Sequence, residues 1–197
     1  MSPTDLSYVA LPALLIFWAV GAYNRLVRLK NIIGNAFGQI DVQLKLRYDL
    51  ITDLVEDSKK YLQHEQSTLE AVMLTRNKAK SACDAVRKKP TQAAAVVALA
   101  AAEQALDGSL GRLFAVADAC PEIKADQTIR DLIEALTSIE NKFTFARQAY
   151  NDAVMDYNKA QRQFPALVIA SLFGLAPSAM LRATGGVAER ESVVVQL

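Results

Sequence analysis

Between Leu6 and Asn24 the chain carries no charged residue, and Arg25, Arg28 and Lys30 follow at once. The run LSYVALPALLIFWAVGAY would span roughly 27 Å as a helix, close to the ~30 Å hydrocarbon thickness of a bilayer. It predicts a transmembrane anchor over residues 1–23, and this constrains everything after it to one side of a membrane. Leu6, Trp18 and Tyr23 mark the span. Tyr8 near one end and Trp18 and Tyr23 toward the other suit the headgroup levels, and Pro12 is tolerable in a spanning helix. A cleaved secretory signal is the alternative, but it requires positive charge before the apolar run, where only Asp5 stands. Lys and Arg are retained on the cytoplasmic side, so the N-terminus is expected outside and the bulk of the chain in the cytoplasm. Arg25, Arg28 and Lys30 would then lie at the membrane surface, each contributing about 1 kcal/mol against anionic lipid.

The remainder predicts an all-α protein: the anchor followed by an antiparallel up-and-down four-helix bundle over residues 24–164. No proline occurs from Tyr23 to Pro90, and Leu26, Leu29, Ile33, Phe37, Ile40, Leu44, Ile51 and Leu54 recur at coiled-coil-like heptad spacing. Ser67 with Glu70 reads as a capping box, so the first helix is expected to break near His64 and the second to run from about Thr68 to Lys88. Thr91 opens an alanine-rich third segment with a stripe of Val96, Leu99, Leu106, Leu110 and Leu113, expected to loosen at Gly108 and Gly111. Pro121 to Lys124 is expected to be a connection and Asp126 an N-cap. The fourth segment has the most regular seam, from Ile129 through Leu132, Leu136, Ile139, Phe143, Ala146, Tyr150, Ala153, Tyr157 and Ala160 to Phe164, with Pro165 ending it. The segments measure roughly 60, 30, 40 and 58 Å, long, short, short, long. That order suits two long helices paired along their length with a shorter hairpin over the distal part. Residues 165–181 are apolar but interrupted by Gly174 and Pro177, an interfacial or bundle-capping segment, and residues 182–197 are expected to be a flexible tail.

Two blocks, YNRLVRLKNIIGNAFGQIDVQLKLRYDLITDLVEDSKKYLQHE and ENKFTFARQAYNDAVMDYNKAQRQFP, resemble the LemA family, the second with its Tyr150-Asn151 and Tyr157-Asn158 pairs. The resemblance covers about Tyr23 to Leu175. It implies a membrane-anchored antiparallel four-helix bundle, here in the bacterial inner membrane, with no established enzymatic activity, and magnetosome-associated relatives imply a part in organising or remodelling membranes. Ala36-Phe37 stands where the family usually has Ala-Trp, and the tail LRATGGVAERESVVVQL lacks the aromatic and acidic character usual there.

Catalytic apparatus is not legible. The chain has 22 Lys plus Arg against 21 Asp plus Glu, one His and two Cys. That balance gives no field to attract nucleic acid. The single His, His64, has Tyr61 three residues earlier where a di-iron bundle needs Glu. It reads as a loop residue rather than a pH-sensitive contact. Cys83 and Cys120 are too few and too far apart for a zinc or redox motif and read as small hydrophobes. Asp49, Asp53, Glu56 and Asp57 could gather around a cation, but Lys45, Arg47, Lys59 and Lys60 balance them as a solvated face. No catalytic, cofactor or metal residue is assigned. Polar residues beside the seams, Asp41, Gln43, Arg47, Glu140, Asn141, Arg147, Asn151 and Asn158, need partners if buried. They read as a register-fixing network between the two long helices rather than a docking strip. The expected function is a non-enzymatic, single-pass scaffold or adaptor that binds protein partners, itself or the bilayer. An accessory regulator of a membrane protease or sensor is the alternative, and a metal- or ligand-binding bundle a weaker one.

Overall fold

The computed structural model describes residues 3–181, with side chains described from residue 13 onward, and no strand occurs among them. Six helices follow one another: α1 Pro3–Ser58, α2 Gln66–Lys88, α3 Ala93–Ala119, α4 Pro121–Ala125, α5 Gln127–Arg162 and α6 Ala166–Leu172. The side chains of Leu6, Tyr8 and Pro12, and the whole of the expected tail 182–197, lie outside the described residues.

α1 runs unbroken for 56 residues, continuing through Pro12 and meeting no further proline before it ends, about 84 Å at 1.5 Å per residue. Its seam residues Leu26, Ile33, Phe37, Ile40, Leu44, Ile51 and Leu54 are buried, and Tyr48 takes the place between Leu44 and Ile51. The helix breaks before His64. Leu62, buried against the core, is held by its N–H to the Ser58 carbonyl, and this turn ends α1 at Ser58. The capping box is not formed: Ser67 lies inside α2, and Glu65 holds the cap position without a side-chain bond to the backbone. Packing of Leu62 thus outweighs the local cap signal.

The other elements follow their stripes. Residues Val96, Leu99, Leu106, Leu110 and Leu113 are buried along α3, which continues as helix through Gly108 and Gly111 with buried leucines on either side. The expected connection at Pro121 is the short α4, with proline at its start and Ile123 buried. Asp126 caps α5, accepting from the N–H groups of Thr128 at 2.8 Å and Ile129 at 3.3 Å. The α5 seam is buried as far as Tyr157 and Ala160, with Leu132 and Ala146 half-buried, but Phe164 leaves it: α5 stops at Arg162, and Phe164, 74% exposed, rests on Trp18 instead.

Cross-contacts give the directions. Pairing Trp18 with Phe164, Phe37 with Tyr150, Arg47 with Glu140 and Tyr61 with Asp126 runs α5 antiparallel to α1 over most of its length. Asp41 with Arg87 and the Tyr48 carbonyl with Arg76 set α2 antiparallel to α1. The hydroxyls of Thr75 and Ser109, 2.7 Å apart, tie α2 to α3. One helix among the described residues, α3, is long and apolar enough by length and composition to cross a membrane. Its apolarity is largely alanine, its leucines are buried, and it carries the buried Glu103, the pattern of a core helix.

Candidate functional site

The deepest polar cluster forms where α1 meets α3. On the α3 stripe the place between Leu99 and Leu106 belongs to Glu103, only 1% exposed. A buried carboxylate needs partners, and α1 supplies two. Arg47 reaches Glu103 at 2.9 Å and Asp107 closely, with Glu140 of α5 at 3.5 Å. The Tyr48 hydroxyl donates to the other Glu103 oxygen. Burial pushes the Glu103 carboxyl up despite the Arg47 charge, and burial together with that carboxylate raises the Tyr48 phenol. Burial works to lower Arg47, but the surrounding carboxylates outweigh it and hold the guanidinium charged. One side of this five-residue knot is therefore a tyrosine that stays protonated and an arginine that stays ionised.

A second cluster joins α1 to α2. Arg87 donates to both Asp41 oxygens, the shortest contact being 2.6 Å, with Lys45 at 3.1 Å and the Cys83 thiol at 3.4 Å. Burial works to raise the Asp41 carboxyl, but the hydrogen bonds from Arg87 and Lys45 prevail and hold it below its usual range. Burial, then the neighbouring carboxylate, pushes the Cys83 thiol up to about 12, so it is inert at neutral pH. A lowered Asp41 stabilises the fold above the ordinary aspartate value of 3.8, and this contribution is lost as pH falls through the lower folded value. The stability of Asp41→Asn, followed by urea unfolding against pH, should accordingly fall less between neutrality and the acid limb than that of the parent. Arg87, partly exposed, remains solvated in that variant.

The third assembly lies on α5. After α6 the chain turns at Gly174, whose φ of 61° is the left-handed conformation glycine adopts freely, and climbs back along α5 as an extended strap from Leu175 to Leu181. The Asn158 side chain donates to the Ser178 carbonyl at 2.9 Å and accepts from the Ser178 N–H at 3.0 Å. Asn151 does the same for Leu181, at 3.1 and 2.8 Å. Tyr150, Tyr157 and Gln161 donate to the carbonyls of Ala179, Ala176 and Leu175. The match is metric: one heptad of helix advances about 10.5 Å and three extended residues about 10 Å, so side chains seven apart reach backbone groups three apart. Replacing Asn151 and Asn158 together by Ala should strand those backbone groups and raise amide hydrogen exchange across Leu175–Leu181 by at least tenfold, at a cost of about 0.5–1.5 kcal/mol per lost bond.

At the opposite end from the α1–α2 turn, α1 is bare. Leu14, Leu15, Ile16, Phe17 and Val20 are between 51% and 78% exposed, while Leu26 a short way along the same helix is fully buried. Trp18 and Tyr23 are partly covered, by Phe164 at 5.0 Å and Phe173 at 4.8 Å between ring centres. Arg25, Arg28 and Lys30 follow as exposed side chains. The chain therefore carries an apolar sleeve below a basic ring.

The sequence-predicted polar residues are thus divided among different partners. Arg47 and Glu140 face one another across the long helices at 3.5 Å. Asp41 instead pairs with α2, Asn151 and Asn158 hold the strap, Asn141 is exposed, and Arg147 lies over the Phe143 ring at 5.9 Å. Gln43 keeps a buried amide oxygen without a hydrogen-bond partner. On the acidic face Asp49 meets Arg76 at 3.6 Å and Asp57 meets Lys60 at 2.8 Å, and no group of three potential metal ligands gathers among the described residues. A cleft of about 310 Å³ at the α1–α2 turn is lined by Leu62, Leu69 and Met73 with Lys59 and Glu70. Glu103 was missed from sequence, although its place on the stripe between Leu99 and Leu106 is itself the signal.

Fold and site together define an all-helical protein whose long first helix is tied to α2 and α3 by buried or partly buried ion pairs and carries an exposed apolar stretch beyond the core. The LemA family model matches residues 36–197, and the chain belongs to the LemA family. That match begins later than the resembling block at Tyr23 and takes in the segment after Leu175. A search of curated proteins finds no match.

Proposed function

We propose that the protein is a non-enzymatic scaffold or adaptor, held in the bacterial inner membrane by a single span within α1. The rest of α1 with α2, α3 and α5 forms an up-and-down four-helix bundle on the cytoplasmic side, presented to protein partners, to further copies or to the bilayer surface. The observation that carries this is the abrupt change along one unbroken helix, from the bare Leu14–Val20 sleeve to the buried seam that begins at Leu26. Water would have to cover some of the largest side chains in the molecule, whereas a bilayer covers them without cost. The basic ring supports the inside orientation, since it follows the span directly.

Crosslinking of the full chain in intact membranes, followed by mass spectrometry of the products, tests the scaffold role. Self-association or repeated capture of one partner supports it, and recovery of monomer under several crosslinking chemistries speaks against it. A reporter fused after Leu197 tests orientation: activity confined to the cytoplasm is expected, and activity only outside reverses the topology.

A further inference from the structure

We propose that the loop through α6 is a second membrane contact, a half-depth dip that enters the same leaflet from which α1 emerges. This rests on the anchor reading above and extends it to a separate part of the chain. From Gln163 to Leu181 there is no charged residue, while Lys159 and Arg162 close α5 just before it. Within this stretch the side chains divide. Ala166, Ile169 and Ala170 are buried, and Phe164, Leu167, Val168, Leu172 and Phe173 are 54% to 74% exposed. A seven-residue helix is far too short to span.

Placement relative to α1 gives the depth. Phe164 lies against Trp18 and Phe173 against Tyr23, so the dip runs beside the part of α1 that reads as membrane helix. Trp18 is six residues before Asn24, about 9 Å along the axis, within the 5–10 Å to which interfacial helices sink. The basic side chains of both long helices, Arg25, Arg28, Lys159 and Arg162, come in the sequence on the core side of these aromatic contacts. Irregular backbone near hydrocarbon requires internal partners. The returning strap has them, because Gln161, Tyr157, Asn158, Tyr150 and Asn151 bond its backbone from Leu175 to Leu181. The exposed apolar face is thus continuous with the sleeve, bounded by cations and followed by backbone that is already satisfied. Lipid acyl chain is the occupant that fits all three features.

Tryptophan fluorescence separates this from the anchor. The full chain has one tryptophan, Trp18. Reconstituted in vesicles, the parent reports the span. Trp18→Phe with Leu172→Trp reports the dip at a site 74% exposed, where a larger side chain meets no packed core. With bromine near the headgroup end of the acyl chains, the introduced tryptophan is expected to lose roughly half its emission or more, and with bromine near the methyl end distinctly less, in line with interfacial depth. Trp18→Phe with Gln104→Trp, on the exposed side of α3, should be unaffected, and equal quenching there would overturn the assignment. If Trp18 is quenched in the parent while the tryptophan at position 172 is not, the dip is refuted and the anchor stands. Unquenched but blue-shifted emission at position 172 would mean that protein, such as a second copy, covers the face, which also refutes the lipid assignment. Absence of quenching in both chains removes dip and anchor together.

Discussion

Arg47→Met is expected to destabilise the fold by about 3–5 kcal/mol, because it leaves the buried Glu103 carboxylate without its cation. Glu103 is 1% exposed and cannot recruit water, and Asp107 and Glu140 beside it add repulsion once the guanidinium is gone. Adding Glu103→Gln should recover most of the loss. The amide keeps an oxygen for the Tyr48 hydroxyl and carries no charge to strand, and an ion pair replaced on both sides by neutral groups is often close to neutral in stability. Urea unfolding of the two single variants and the pair forms a double-mutant cycle. A rescued double variant identifies the knot as a device that fixes α3 against α1. Two independent, additive losses would instead mean that each side chain acts through separate packing.

The sleeve offers the second large effect, with the opposite profile. Leu14→Arg with Phe17→Arg places two charges near the middle of the proposed span, each costing about 2.5–3.5 kcal/mol on the insertion scale, so about 5–7 kcal/mol together. Membrane insertion should fail almost completely. Both positions are among the most exposed described side chains, 67% and 78%. The thermal midpoint of the folded part should therefore move little, as for substitutions away from a core. Fractionation of cells together with melting of the purified variant reads the two effects separately, and loss of folding along with insertion would mean that Leu14 and Phe17 pack against protein.

Periodicity made most of the architecture legible, since heptad seams such as Leu26 to Leu54 or Ile129 to Ala160 state which face is buried irrespective of the partner. Boundaries were less legible wherever a distant contact competes with a local signal. Ser67 and Glu70 have the pattern of a capping box, yet the turn is set by Leu62 sinking into the core, which no window around Ser67 contains. Gly108 and Gly111 look like weak points in isolation, yet α3 continues as helix through them beside the buried Leu106, Leu110 and Leu113. The polar residues show the same divide. That Asp41 and Arg47 require partners follows from their position beside a seam. That those partners are Arg87 on α2 and Glu103 on α3 depends on rotation of the helices about their axes, which alternating apolar spacing leaves open. The Tyr-Asn pairs at Tyr150 and Tyr157 were visible as a repeat, but their role in gripping extended backbone needed the strap from Leu175 to be seen beside them.

Membrane anchoring through α1 is the claim on which the orientation, the basic ring and the dip all depend. Its most direct test is alkaline carbonate extraction of membranes containing the full, unsubstituted chain, with a peripheral protein and a known integral protein in the same sample. Contacts made through charge or a shallow interfacial face are released by this treatment, whereas a helix that spans hydrocarbon is not. Retention in the pellet alongside the integral protein is the predicted result. Recovery in the supernatant with the peripheral protein would contradict the account, and would leave the exposed Leu14–Val20 sleeve to be explained by a protein partner.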